Sequence, residues 1–188
     1  MNTKLNRLMK DERGITALET AIILIAFVVV AAIFAFTVLS TGTFLTERSK
    51  EAAYAGLQEV RGSMELKGGV VLESTGTYVV FNLANVAGGA SVDLTKVKMS
   101  YLDSTTNQDI AYVAIASLGT NKWSATDTVG TTDVTILTSG NLARLKVQPP
   151  TAILKNATFT LEIKPPTGAV LSIQRTTPAL IDVVTNLN

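Results

Sequence analysis

The sequence predicts an α+β protein in which one long N-terminal hydrophobic α-helix precedes an all-β, immunoglobulin-like sandwich domain. Three observations predict it. Residues 20–46 carry no ionisable side chain. Residues 47–60, Glu-Arg-Ser-Lys-Glu-Ala-Ala-Tyr-Ala-Gly-Leu-Gln-Glu-Val, are rich in helix formers with opposite charges at close spacing. After Lys67-Gly68-Gly69 the apolar period becomes two, the period of a half-buried strand.

The chain opens with a short basic leader, Met1 to Gly14, in which Lys4, Arg7, Lys10 and Arg13 face two acids, Asp11 and Glu12. This balance keeps the leader in the cytoplasm and sends the remainder outward. The apolar core, Ala21 to Leu39, matches the ~20 apolar residues that cross a bilayer's hydrocarbon layer. Its apolar residues occupy every side of a helix, so they need burial all round, in lipid or in a larger assembly. A secretory signal peptide is cut after its apolar core and loses it. Here the candidate cut precedes the core, between Gly14 and Ile15, so the mature chain would begin with its hydrophobic helix and a new α-amino group.

Glu19 then lies four residues past that amine, on the same helical face. A carboxylate at the edge of an apolar zone needs a cation, and the new amine is the nearest candidate. The spacing fits pairing within one chain or between copies. An acid placed near a helix N-terminus to complement its dipole is the plainer alternative.

The helix is expected to end near Arg61-Gly62, and from Ile15 to Val60 it would extend roughly 70 Å. Gly42, between Thr41 and Thr43, is where a bend is expected. The expected division is therefore 1–14 leader, 15–62 helix and 68–188 β-domain. Strands are expected at Val70 to Glu73, Thr77 to Leu83, Lys96 to Tyr101, Ile110 to Ala116, Asp133 to Leu137 and Leu142 to Val147. Phe159, Leu161 and Ile163 alternate with Thr160 and Glu162, and Leu171 and Ile173 follow after Pro165-Pro166-Thr167-Gly168. Two alternating runs around a Pro/Gly turn read as a hairpin. Seven or eight short strands suggest the sandwich.

Composition narrows the chemistry. The chain has 188 residues, enough beyond the helix for one domain with a real core. It has no Cys and no His. Disulfide frameworks, thiolate metal sites and Ser-His or Cys-His catalysis are thereby excluded. Net charge is +1, and removing the leader leaves 12 basic against 13 acidic residues, which argues against nucleic-acid binding. No phosphate-cradling glycine loop, nucleophile elbow or paired-carboxylate motif is present, so neither enzyme activity nor a cofactor is expected. Asp103-Ser-Thr-Thr-Asn-Gln-Asp109 offers oxygen ligands without the spacing of a calcium loop and reads as a polar hairpin connection, so no metal is expected. Trp123, the sole Trp, reads as a core or interface anchor. Asn156-Ala157-Thr158 is an N-glycosylation sequon.

The basic leader ending in Gly14, the apolar helix and the acid at mature position five resemble the class III signal peptide of type IV pilin-like proteins. Gly14-Ile-Thr-Ala-Leu-Glu-Thr-Ala-Ile-Ile-Leu-Ile-Ala-Phe27 at one end and the hairpin and tail from Phe159 to Leu187 at the other together resemble an archaellin, the archaeal flagellin. Both termini carry the resemblance strongly and Ser91 to Tyr101 more loosely. The resemblance implies that Gly14 and Ile15 flank the cut of a prepilin-type signal peptidase and that Glu19 neutralises the amine of a neighbouring subunit. It further implies that helices of many copies bundle into a filament core with β-domains outside, and that an ATP-driven motor on a membrane platform rotates the filament. The subunit itself would catalyse nothing. Its precursor would sit in the cytoplasmic membrane and its product outside the cell, with Asn156 carrying a glycan. An adhesive archaeal pilin is the alternative, against which Arg175-Thr-Thr-Pro-Ala-Leu-Ile-Asp182 argues. A membrane-anchored immunoglobulin-like binding module, which would keep its leader, is a further one.

Overall fold

A computed structural model describes the backbone of residues 2–86 and 88–187 and the side chains of 16–86 and 88–187. It divides into two compact units, Met1–Ala53 and Tyr54–Asn188. A single helix, α1 (Asn2–Arg61), forms the first unit and enters the second. Its first unit contains good helix formers and β-branched residues without an internal proline, so the backbone ladder is unbroken.

Among the described residues, the second unit holds eleven strands: β1 (Met64–Glu73), β2 (Tyr78–Asn85), β3 (Val92–Asp93), β4 (Lys98–Leu102), β5 (Asn107–Tyr112), β6 (Lys122–Thr126), β7 (Ile136–Leu137), β8 (Leu142–Gln148), β9 (Thr158–Lys164), β10 (Leu171–Thr176) and β11 (Val184–Leu187). Nine of them join in the order β10-β9-β4-β5-β6-β8-β2-β1-β11, and β3 pairs with β7. Two antiparallel blocks, β10-β9-β4-β5 and β6-β8-β2-β1-β11, meet through one short parallel pairing, Ala111↔Lys122 and Tyr112↔Trp123. The edge strands come back together, since Arg175 Nε on β10 donates to the Leu187 carbonyl on β11 at 3.2 Å. The sheet therefore folds onto itself as a sandwich, with its apolar faces inward.

That interior is where the period of two leads. On β9, Phe159, Leu161 and Ile163 are buried while Glu162 is exposed. On β8, Ala143, Leu145 and Val147 are buried in the same way. Tyr101 of β4 stacks on Phe159 with centroids 6.1 Å apart, and Tyr112 meets Trp123 edge-on at 4.9 Å. Trp123 is thus a core residue.

The expected strand at Ile110 to Ala116 stops at Tyr112, because the chain turns there through a 3-10 segment, Ile115–Ser117, whose Ile115 N–H is captured by the Asp133 carboxylate at 2.8 Å. Strand β6 was not expected. Its Trp123, Ser124, Ala125 and Thr126 are all buried, so both faces are covered and no alternation marks it. Strand β11 escaped notice because four residues are too few to display a period.

A charged clamp crosses three strands. Glu73 at the end of β1 receives Arg144 Nη2 at 2.7 Å and Lys146 Nζ at 2.9 Å, both from β8, and Lys146 Nζ also sits 4.3 Å over the Tyr78 ring. Burial pushes the Glu73 carboxyl up, but the hydrogen bonds and charges of Lys146 and Arg144 outweigh it and hold it below its ordinary value of 4.5. A depressed carboxylate contributes stability above its unfolded value and loses it as pH falls through the folded one. Glu73→Gln should therefore destabilise the domain by about 1 kcal/mol at neutral pH. The difference from wild type should shrink below pH 4.5, as followed by thermal melting across pH. A constant difference down to strong acid would show that Glu73 acts through packing alone.

Candidate assembly surface

Among the described residues, every side chain of α1 from Thr16 to Arg61 is exposed in the single chain. Over Thr16–Arg61 the helix is long and apolar enough to cross a membrane, and none of its apolar window is buried. Phe27, Phe34 and Phe36 are more than seven-tenths exposed. A helix presenting such side chains on all sides cannot be stable in water alone, so lipid or other helices must cover it.

Most serine and threonine hydroxyls within this stretch are satisfied by the helix itself, the Ser40 hydroxyl being the exception. Thr37 Oγ1 donates to the Ile33 carbonyl at 2.8 Å, Thr41 to Thr37 at 2.9 Å, Thr46 to Gly42 at 2.8 Å and Ser49 to Leu45 at 2.8 Å. Back-bonding of this kind needs no water. Of the serine and threonine hydroxyls on this surface, only that of Ser40 would have to find a partner on burial in hydrocarbon or in protein. Two shallow apolar depressions run along it. One is lined by Phe27, Val30, Ala31, Phe34, Ala35 and Val38, the other by Ile33, Phe34 and Thr37 beside Val30 and Val38. Small Ala31 and Ala35 between phenylalanines leave holes that the ridge of another helix can enter.

Glu19 lies in α1 with its side chain exposed, and among the described residues no ion pair to it is present. The side chains of Gly14 and Ile15, the expected cleavage pair, lie outside the described residues. Asn156 stands exposed in the loop between β8 and β9 with φ of 54°. Its sequon is woven into the fold. The Ala157 N–H donates to Thr177 Oγ1 at 2.9 Å, and the Thr158 and Thr176 hydroxyls lie 2.8 Å apart. The neighbouring Leu154, Ala157 and Thr158 border a hollow of about 380 Å³ that also touches Asp103 and Thr105. Asp103 itself is occupied, since its Oδ1 accepts the N–H groups of Thr105 and Thr106 at 2.7 Å. Residues 103–106 are thus the β4–β5 connection, and Asn107, Gln108 and Asp109 already belong to β5, paired with β4.

Helix α1 ends at Arg61, as expected, in a junction whose long-range contacts leave no mark in the sequence. Gly62 N–H closes the last turn on Gln58 at 3.0 Å, the Arg61 carbonyl accepts from Ala90 at 2.9 Å, and Ser63 Oγ accepts from Ala169 at 3.1 Å. Gly62 and Gly168 face each other there. A Cβ on Gly62 would overlap the Thr167 carbonyl, and one on Gly168, whose φ is 118°, would come within 2.5 Å of the Gly62 backbone. Gly62 beside a helix end was visible as a stop signal. Its contact with a hairpin a hundred residues later was not.

This arrangement has known counterparts. Residues 14–175 match the model of the archaeal-type flagellin family. The Archaeoglobus fulgidus protein named "Probable flagellin 1" is 34% identical, over 94% of this chain and 95% of its own length. An Aeropyrum pernix protein of the same name is 31% identical over 91% and 95%. Among solved structures, the archaeal flagellum of Methanospirillum hungatei superposes with a TM-score of 0.63 at 27% identity, covering 90% of this chain and 97% of that one. The crystal structure of an archaeal flagellin from Methanocaldococcus jannaschii superposes at 0.52 with 20% identity over 66% and 95%, which shows the shared fold.

Proposed function

Because the chain belongs to the archaeal-type flagellin family, we propose that it is a structural subunit of the archaellum, polymerising through α1 into the extracellular filament used for swimming. The observation that carries this reading is the wholly exposed apolar surface of α1. The covering it lacks in one chain is the same helix from other copies.

The route to the filament is the one that the resemblance to archaellins implies. The precursor waits in the cytoplasmic membrane with α1 in lipid. A prepilin-type signal peptidase cuts between Gly14 and Ile15, dividing the leader 1–14 from the filament-core helix 15–62 and the outer domain 68–188. The new amine of Ile15 pairs with a Glu19 carboxylate, which lets the charged helix start enter the bundle without an uncompensated charge. The back-bonded threonines of α1 support transfer from lipid to protein, since neither environment has to supply them a partner. A motor ATPase and its membrane platform drive and hold the filament, and the subunit performs no catalysis. Asn156 carries an N-glycan on the outer surface, where its exposure supports modification.

The test is N-terminal sequencing of protein sheared from intact cells, with negative-stain microscopy of the same fraction. Ile15 at the start of thin filaments is expected. Met1 on a membrane-bound, non-filamentous protein would sink the reading. A digest of the same filaments should show the Asn156 peptide shifted in mass, and an unshifted peptide from natively expressed material would remove the glycan.

A further inference from the structure

The hollow beside the sequon is a built concavity. Strands β4 and β9 pair with Leu102 opposite Thr160, which sets the turn after β4 beside the residues leading into β9. Of residues 151–158, all but Lys155 and Asn156 line the hollow, and Tyr101, Ser104 and the turn around them close its other side. Its volume of about 380 Å³ falls within the ~300–1,000 Å³ of small-ligand pockets. The lining is mixed. Ile153 and Leu154 supply carbon, whereas Ser104 and Thr151 supply hydroxyls that, among the described residues, have no protein partner within hydrogen-bonding distance. Buried Tyr101, stacked on Phe159, bounds it on the core side. A sugar ring suits such a wall. It carries hydroxyls round its edge, which pair with groups that both donate and accept, and C–H groups on its faces, which need apolar cover.

Asn156 is fixed at the rim of this hollow. The Thr177 hydroxyl draws the two sides of its turn together, since the Leu154 and Ala157 carbonyls lie 2.6 and 3.2 Å from Thr177 Oγ1, and the Ala157 N–H donates to the same oxygen at 2.9 Å. Asn156 N–H is tied to the Pro178 carbonyl at 3.2 Å. Asn156 therefore stands exposed between two residues of the wall, on a turn that is held in place. Leu154 is 72% exposed. A lone exposed leucine is ordinary on a protein surface, but this one forms the side of a concavity next to an attachment point.

We propose that the hollow is a carbohydrate-binding seat filled by the first sugar of the chain attached to Asn156, with a C–H face of that sugar on Leu154 and its hydroxyls on Ser104 and Thr151. The inference rests on the reading of Asn156 as glycosylated and deepens it, because the sugar becomes part of the packing of the β-domain. Attachment is what makes the seat effective. A short tether holds its ligand at an effective concentration in the millimolar range, so a wall too shallow to capture a free sugar is still occupied by a bound one. The held turn also reduces the ordering cost of docking.

The test is a double-mutant cycle on the full chain, purified from native cells in detergent, with Trp123 fluorescence reporting the melting of the β-domain. One axis is Leu154→Ala, which leaves the sequon whole and, for so exposed a side chain, costs little without a sugar. The other is Asn156→Asp, which removes the sugar and keeps a residue type that tolerates the positive φ. Thr151→Ala is made in parallel with Leu154→Ala. Mass spectrometry first establishes the modification of each chain. Expected is a drop in midpoint of about 3 °C from at least one wall substitution in the sugar-bearing chain, and none from either in the Asn156→Asp chain. Modified chains in which both wall substitutions act equally in the two backgrounds would overturn the seat and leave the glycan standing on a solvent-borne stem. An unmodified wild-type Asn156 peptide would overturn the glycan and the seat together.

Discussion

Substituting valine for Gly14 should leave the 14-residue leader attached and abolish filaments. On the proposed cut, a β-branched side chain beside the Gly14–Ile15 bond would not fit a peptidase pocket shaped for glycine. The retained leader then does two kinds of damage. Its four basic residues outnumber its two acids, so at least two cations without a partner in the leader would have to enter the helix bundle, at a cost of several kcal/mol each when desolvated. No α-amine is released at Ile15 to meet Glu19. Glu19→Ala separates the two effects. That chain should be cut normally yet assemble poorly, with filament yield down about tenfold or more, since an uncompensated amine at the bundle costs at least the ~1.4 kcal/mol that a factor of ten represents. Mass spectrometry of the membrane and sheared fractions reads both steps. Normal processing of the Gly14 variant would move the cut elsewhere, and wild-type yield from the Glu19 variant would retire its partner role.

Gly62→Ala should cost about 3 kcal/mol in the second unit, because the atom it adds has nowhere to go. A Cβ at Gly62 meets the Thr167 carbonyl, which is backbone in a Pro-Pro turn and cannot swing aside as a side chain would. Thr167 in turn adjoins Gly168, whose own backbone already packs against Gly62. Relieving the overlap would pull apart the Arg61–Ala90 and Ser63–Ala169 hydrogen bonds. Trp123 is the only tryptophan and lies in the β-core, so its fluorescence reports unfolding of this unit in the detergent-solubilised full chain. The midpoint should drop by about 10 °C. Gly42→Ala is the control. A Cβ there meets nothing within 4 Å, so that variant should leave the tryptophan transition unmoved and strengthen the helix by a few tenths to about 1 kcal/mol. Equal behaviour of the two variants would show that the junction yields more easily than its backbone contacts imply.

The elements differ in how far they could be read. Phe159, Leu161 and Ile163 announced themselves because one face of β9 is buried and the other wet, and alternation is the trace that such a difference leaves. Lys122 to Thr126 left no trace because both of its faces are covered. The Glu73 clamp unites residues about seventy positions apart, and each of the three charges alone reads as an ordinary surface residue. The hollow beside Asn156 was unreadable for a related reason. Ser104 and Leu154 belong to loops far apart in the chain, and only the pairing of β4 with β9 puts them on one concave wall.

The sequence by itself determined the helix, its need for covering and the presence of a β-domain after it, and the proposed leader and cut rest on it alone. All of these depend on neighbours a few residues apart, through periodicity, charge and side-chain size. Only the tertiary structure decided which strands pair, how the two blocks join through Ala111 and Tyr112, and why Gly62 and Gly168 must both lack a side chain. Those outcomes depend on groups that are distant in the chain and within ångströms in space, where the excluded volume of one backbone atom against another settles what no local pattern records.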